Sequence, residues 1–579
     1  MTSFLAFANL CQKVEAVSGS LEKIDLVAAF LADLDESELS VACSFIMGTL
    51  FPPSLDLVMG VGPSILYEAL AKACGCPAEQ ISEMLRATGD PGLVAAGIVE
   101  KRRPLGFVAF QEAEPLSIKD VYERFVAIAR VSGKRSQDAK VKNLQFLFSQ
   151  AGSLEARYIA RLAIEDMRIG IGEGGVRDAV ARAFSKSGAD AEKVERAYNL
   201  TNDMGLVAVA ARRGTLAKLS VMINHPIKMM LAQLGESISS ALGEIGTAAV
   251  EWKYDGARVQ IHKEGDSVAV FSRRMENVTA SMPEIVLAAR QITAKSAILD
   301  GEAVAIGSDG RPMAFQEILK RFRRKYNVEK LAAQIPLRLF LFDLIYLDGK
   351  SVTHLPLSER RALLEKITTP NPASFALLAD QVLSGSVEAV EEIYRQALAA
   401  GHEGLILKNP SSVYAPGKRG KNWLKIKPVM ETLDLVVIGA KWGEGRRASF
   451  LGSYRLGCRD TATGNLLDMG FVATGITDEA LAELTSMFRE LILLEKGMEV
   501  EIKPAVIFEV AYEEIQRSPN YSSGYALRFP RMVAVRDDKS LEEADSLERV
   551  VSLYKGQRGR GNSILEATKD DYKDAKSVE

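Results

Sequence analysis

The stretch "EWKYDGARVQIH", Glu251–His262, sets Glu251, Lys253 and Asp255 at every second position. Strand side chains alternate between faces, so the two acids and the lysine share one side while Trp252 and Tyr254 take the other. A lysine flanked by carboxylates has two chemical readings. It makes ion pairs on an exposed strand, or it acts as a covalent nucleophile once desolvation or nearby cations lower its pKa. Arg258 and a bound metal would supply that positive field, and Gly256 permits close backbone approach to a ligand.

Stretches further along the chain favour the second reading. "LDGEAVA" places Asp300 and Glu302 on one strand face, and "HEGLILK" sets Glu403 before Gly404 with Lys408 beyond. "NWLKIK" puts Lys425 and Lys427 on one face, and "SRRMEN" supplies Arg273 and Arg274. Mg²⁺ prefers carboxylate and phosphate oxygens, so Glu302 and Glu403 are sensible ligands. Lys425 and Lys427 suit an α-phosphate, whose charge grows during displacement. Phe342 in "FLFDLIYLDG" is an aromatic able to stack on a base.

These residues need elements to hold them. The chain has 579 residues, too long for one core, and a soft expectation is about three or four domains. Residues 1 to about 220 read as helical: "SLEARYIARLAIEDMRIGIGEGG" carries Leu154, Tyr158 and Leu162 at helical spacing and then breaks at its glycines. "MGVGPS" at 59–64 repeats that logic, with Ser64 able to cap the next helix. A helix–glycine turn–helix can aim backbone N–H groups and a basic side chain at a phosphate backbone; Arg168 is the candidate, with Arg177 nearby. "INHPIKMMLAQ" at 223–233 marks a change to strand patterns, and 245–430 mixes strands with helices in an α+β pattern. From "LDLVVIGAKWGEGRR" onward, short glycine-punctuated strands suggest a small β-barrel. The divisions are 1–222, 223–429, 430–560 and a polar tail at 561–579.

Bulk properties narrow the classes. The chain is 47% hydrophobic and 25% charged, ordinary for globular domains, with net charge −3. That charge argues against indiscriminate nucleic-acid binding, although basic runs such as "KRFRRK" at 320–325 exist. Five cysteines without a CxxC pair, and four scattered histidines, argue against a zinc site or a histidine-centred one. Free thiols in a reducing compartment are expected. No apolar run reaches about 18 residues, so no membrane span is expected. The N-terminal apolar patch lacks a basic lead and reads as a helix rather than a signal peptide.

"KYDGAR" at Lys253–Arg258 resembles the KxDGxR signature of covalent nucleotidyltransferases, the superfamily of ATP-dependent DNA ligases, RNA ligases and capping enzymes. "SRR", "DGE", "FLFDLIY", "EGLILK" and "WLKIK" follow in that family's order, and "RDDK" at Arg536–Lys539 is similar to its last motif, RxDK. The helical flank, "HPIKMMLAQ" and "TLDLVVIGAKWGEGRR" look like the corresponding regions of archaeal ATP-dependent DNA ligases. RNA ligases and capping enzymes lack such a flank. A noncatalytic nick-binding protein would carry degraded motifs, and here they are intact.

The resemblance implies a multidomain fold: an all-α DNA-binding domain, an α+β nucleotidyltransferase (adenylation) domain and a β-barrel OB-fold domain. It implies sealing of 5′-phosphate/3′-hydroxyl nicks through lysyl-AMP and DNA-adenylate, in replication, repair and recombination. ATP is the co-substrate and Mg²⁺ or Mn²⁺ the cofactor. Lys253 would be the nucleophile. Glu251 would contact the adenine amino edge and Phe342 its ring, with Arg258 and Arg273 at the ribose and phosphates. Glu302 and Glu403 would bind metal, Glu302 also lying near the ribose. Arg419 and Lys425 would contact phosphate, assisted by Lys427. Asp255 would orient the 3′-hydroxyl, and Arg536 and Lys539 the leaving pyrophosphate. Nicked duplex DNA is the expected partner of a cytoplasmic, chromosome-associated monomer. A sliding clamp is a further candidate, through the aromatic peptide "PLGFVAFQ" at 104–111.

Overall fold

The computed structural model describes residues 1–557 except 102–114, 132, 134, 314, 323–327, 369–375, 429–431, 444–446 and 448. The candidate clamp peptide at 104–111, the tail at 561–579 and part of the basic run at 320–325 therefore lie outside the described residues. Residues 1–426 pack as one unit and 427–579 as a second.

Short helices with apolar stripes fill the first part of unit 1, from Phe4–Ala16 to Met204–Arg212. Their stripes meet in one core, where Phe45 packs edge-on against both Phe7 and Phe125. Helix Ser153–Ala163 buries Tyr158 and Leu162 while Leu154 is partly buried, the spacing expected of its sequence. Helix Pro63–Cys74 corrects one expectation. Its N-cap is Gly62, Pro63 opens its first turn, and Ser64 lies inside the helix rather than capping it. Proline's fixed φ suits the first helical position, which moves the N-cap two residues earlier, from Ser64 to Gly62.

The rest of unit 1 is built on two sheets. In chain order the strands are β1 (Leu231–Leu234), β2 (Ala248–Lys253), β3 (Ala257–Glu264), β4 (Ser267–Ser272), β5 (Ser296–Ala305), β6 (Leu337–Leu347), β7 (Lys350–Ser351), β8 (Ala376–Leu378), β9 (Gln381–Ser384), β10 (Gly404–Lys408) and β11 (Arg419–Ile426). One sheet has the order β1-β11-β10-β2-β9; the other runs β4-β3-β5-β6-β7, with β8 also paired to β6.

Alternation along these strands decides what faces the site. Val250, Leu405, Leu407, Leu424 and Ile426 turn outward and pack under helices Ile238–Ile245 and Val387–Ala399. Val259, Leu299, Leu339 and Leu341 turn the other way, under helices Pro283–Arg290 and Leu357–Ile367. What remains on both sheets faces the space between them. There Ile298, Ile345, Tyr414 and Trp423 form a small apolar floor that joins the two sheets.

The lead-in segment is pinned to β3 by buried polar groups. Asn224 N–H donates to His262 Nδ1 at 3.0 Å, so the other ring nitrogen carries the hydrogen and donates to Gln260 Oε1, also at 3.0 Å. Gln260 in turn bonds the backbone of Ile227 in both directions. Burial pushes His262 down to about 3, keeping this tautomer neutral.

In unit 2, β12 (Leu433–Trp442), β13 (Leu451–Arg459), β14 (Leu466–Val472), β15 (Ile492–Lys496), β16 (Glu499–Ile502), β17 (Ile507–Ala511) and β20 (Arg531–Val535) form a seven-stranded sheet. Between β17 and β20, β18 (Glu514–Arg517) and β19 (Tyr525–Arg528) pair as a hairpin. One edge of β12 serves two partners: Leu433–Val436 pair with β17 and Gly439–Lys441 with β16. This double use curls the sheet into an OB-fold, around a core holding Tyr454, Phe488 and Phe508.

Candidate active site

Glu251 and Lys253 end β2 on its inner face, where register brings them against β10: Glu251 pairs with Ile406 and Lys253 with Gly404. Glu403 precedes β10, and its N–H donates to the Lys253 carbonyl at 2.9 Å. The same backbone contact brings the side chains together, with Lys253 Nζ 2.6 Å from Glu403 Oε2. Lys253's side chain is only 22% exposed, so it points into the cleft rather than into bulk water. Gly404 is indispensable here. Its φ is +136°, and a Cβ would sit 2.1 Å from the Ile426 carbonyl oxygen.

Asp255 lies in the turn after β2, not on the strand, so the expected row of three charges is a row of two. Gly256 also has a different reason from the one expected. A Cβ there would meet Ala303 O at 2.7 Å and Glu302 Cγ at 2.8 Å, so the glycine lets β5, not a ligand, come close.

Across the cleft, Arg258, Glu302 and Phe340 form one cross-strand row over β3, β5 and β6. Burial is the main reason that Glu302 is raised from its ordinary 4.5 to about 7. Lys253 and Arg258 oppose the shift, and Glu403 and Asp255 add to it. Glu302 therefore feels the charge of the other four groups. Asp300, expected on the same strand face as Glu302, is already engaged: it accepts from Arg258 Nη2 at 2.7 Å and from the Tyr414 hydroxyl at 2.5 Å. Arg258 Nη1 also donates to the Met230 carbonyl at 2.6 Å, which holds its guanidinium still.

Glu251 is buried and held at both oxygens. Lys408 Nζ lies 2.6 Å from one oxygen, and Gln381 Nε2 donates to the other at 2.7 Å. Lys408 also sits over the rings of Phe342 and Trp423, at 4.5 and 4.4 Å. Neither Lys408 nor Gln381 was assigned a role from sequence. Lys408 was within reach, since it alternates with Gly404 and Ile406 onto the inner face; Gln381, on the edge strand β9, gave no signal. Trp423 and the stacked pair Tyr254–Phe340, with centroids 4.3 Å apart, were likewise unforeseen.

The remaining predicted residues divide. Lys425 is opposite Ile406 on β11 and so shares the inner face with Glu251. Arg419 opens β11, exposed, and Arg273 is exposed after β4. Lys427 begins unit 2 and pairs there with Glu513 at 3.3 Å. Also in unit 2, Arg536 is bound by Asp538 and Asp434, and Lys539 by Asp434. In the helical part, Arg168 has φ +53°, bonds Asp166 at 2.7 Å and donates to the Gly89 carbonyl at 2.9 Å. Arg177 is paired with Glu195 at 2.8 Å.

Three family descriptions match along the chain: "DNA ligase N terminus" over 3–181, "ATP dependent DNA ligase domain" over 229–427 and "ATP dependent DNA ligase C terminal region" over 447–539. A DNA ligase of Methanothrix thermoacetophila is 61% identical across 97% of this chain and all of that protein. The chain belongs to the ATP-dependent DNA ligase family. A DNA ligase of Archaeoglobus fulgidus is 49% identical over 96% of this chain and 99% of its own. Among solved structures, Pmar-Lig_PreS3 covers 92% of this chain and 99% of its own at 17% identity, with a TM-score of 0.57, a likeness of fold. The ligase thus has a helical N-terminal domain, an adenylation domain and an OB-fold domain. It seals nicks in duplex DNA through adenylate intermediates, a reaction that replication, repair and recombination draw on. No helix among the described residues is long and apolar enough to cross a membrane.

Proposed function

We propose that Lys253 is the residue that carries AMP, on one observation above the others: its amine lies at the cleft end of β2, 2.6 Å from a carboxylate and close enough to Glu302 for the two charges to interact. In the first step the Lys253 amine, having given its proton to Glu403, attacks the α-phosphorus of ATP. A P–N bond forms, the bond to pyrophosphate breaks, and pyrophosphate leaves with Arg536 and Lys539 as its counter-charges. In the second, a 5′-phosphate oxygen of the nick attacks that phosphorus and the lysine amine departs, recovering a proton. In the third, the 3′-hydroxyl, oriented by Asp255, gives up its proton to solvent and attacks the activated 5′-phosphate; the P–O bond of the phosphodiester forms, the bond to AMP breaks and AMP leaves. All three steps need reactants held in line and cations where charge accumulates, so Lys425, Arg419, Arg273 and Lys427 serve each in turn.

Binding of the base follows from the fixed carboxylate. Glu251, fixed by Lys408 and Gln381, presents its remaining lone pairs to the adenine amino group, and Phe342 lies under the ring. The residues also suit a hard divalent cation. Glu302 and Glu403 are close enough for one to raise the other's affinity for protons, a surplus of carboxylate that a cation relieves. Among the described residues no cluster of three or more metal-binding side chains exists. Mg²⁺ commonly takes only one or two carboxylates plus substrate phosphates, and Mn²⁺ suits the same oxygens. When bound, the ion would neutralise charge on the triphosphate.

On the DNA side, Arg168 contacts a phosphate of the nicked duplex, sequence-neutrally, and the ligase works as a cytoplasmic monomer with a sliding clamp as a further partner. Joining of a labelled nicked duplex with ATP, ADP and NAD⁺ in parallel tests the reading. Joining with ATP and Mg²⁺, lost without the metal, supports it; joining that ignores ATP contradicts it.

A further inference from the structure

The two cations of "RDDK" converge on one anchor. Lys539 Nζ lies 2.5 Å from Asp434 Oδ2, and Arg536 Nη1 reaches both oxygens of Asp434, at 3.3 and 3.2 Å. Arg536 Nε and Nη2 grip Asp538 side-on, each at 2.8 Å. That grip raises Arg536 further and holds Asp538 down at about 2.

Asp434 itself is rigid. It is buried and lies in β12 opposite Glu509 of β17. Its N–H donates to Asp545 Oδ2 and its carbonyl accepts from Asp545 N–H, both at 2.8 Å. Arg536 and Lys539, in contrast, follow the end of β20 and keep side chains 25% and 28% exposed. Long side chains on such a segment sample many rotamers when free, and a shared buried carboxylate removes most of that freedom. Lys539 spends one of its three donors on Asp434 and Arg536 keeps a hydrogen on Nη2, so each cation can still grip an oxyanion.

We propose that Asp434 is a positioning residue for the first step, holding Arg536 and Lys539 as one preset pair for the leaving pyrophosphate. The inference rests on the role given above to those two cations. Three variants of the full chain test it: Asp434→Ala, Lys539→Met and the double variant, with Asp434→Asn as a milder probe that keeps the shape. Two readouts separate the steps, namely single-turnover self-adenylylation with ATP and Mg²⁺, and sealing of a nick already carrying a 5′-adenylate.

Losing hydrogen bonds to charged groups slows self-adenylylation in Asp434→Ala by about tenfold or more. Sealing of the pre-adenylated nick should stay within about twofold, and the Asp434→Ala penalty should shrink on the Lys539→Met background, where only the contact to Arg536 remains to be lost, as coupled sites require. Equal loss of both steps, or full additivity with Lys539→Met, overturns the inference, and so does self-adenylylation that is unchanged or faster in Asp434→Ala. If Lys539→Met itself leaves self-adenylylation intact, the failure belongs to the role assigned to the cations rather than to Asp434.

Discussion

Lys253 and Glu403 meet twice, backbone to backbone at 2.9 Å and amine to carboxylate at 2.6 Å. The doubled contact fixes the proposed nucleophile against its proposed proton acceptor. Glu403→Gln keeps the shape and removes both the proton acceptor and a carboxylate for the cation. Self-adenylylation should slow by about 100-fold, the usual scale for losing a positioned acid–base group, with melting temperature nearly unchanged. Unaltered rates in quenched-flow measurements would remove Glu403 from the mechanism.

Glu302 makes the fold pH-sensitive in a defined direction. Its pKa is raised to about 7 from 4.5, so between those values the native state keeps a proton that the unfolded chain has lost. The contribution is fully present below about 4.5, declines as pH rises and is gone above about 7. Glu302→Gln removes that dependence. Its melting temperature relative to the wild type should climb between pH 5 and pH 8 in calorimetry, and a constant difference would contradict the assignment.

Glu251 and Lys408 are both buried, so each depends on the other. Truncating Glu251 to Ala leaves a buried ammonium whose remaining company is the rings of Phe342 and Trp423, at a cost of about 3 to 5 kcal/mol. Adding Lys408→Met should restore most of the loss. Denaturant titration reads both, and a double variant no better than the single one would show that the pair is not coupled.

Much of this site was legible because strand alternation is strict. Glu251, Lys253, Glu302 and Phe342 fall on inner faces for the same reason that Val250 and Leu299 fall outward. The misreading lies where the period breaks. Asp255 sits in a turn beyond the end of β2; Asp300 does share the face of Glu302, and what the sequence hid is that Arg258 and Tyr414 occupy it. The partners of Glu251, Asp434 and Lys427 were hidden because they come from segments remote in sequence, and no local pattern announces a long-range ion pair. Gly256 and Gly404 were visible as glycines, but only packing shows that neighbouring backbone, not ligand, excludes their side chains.

Arg168 offers a prediction separable from the chemistry. Its guanidinium is held near the surface by Asp166 and the Gly89 carbonyl. Arg168→Ala should weaken binding of nicked duplex and lower the slope of log affinity against log salt by about one contact. Self-adenylylation should stay as in the wild type, because ATP binds far along the chain from this turn. Fluorescence anisotropy at several salt concentrations measures the first, and an unchanged slope would place the phosphate contact elsewhere.

The central claim is that one amine carries AMP, and intact-mass spectrometry reads it directly. After incubation with ATP and Mg²⁺, the wild-type chain should gain the mass of a single AMP, peptide mapping should place it on Lys253, and Lys253→Ala should gain nothing. An unmodified wild type, or an adduct that persists in Lys253→Ala, would contradict the account.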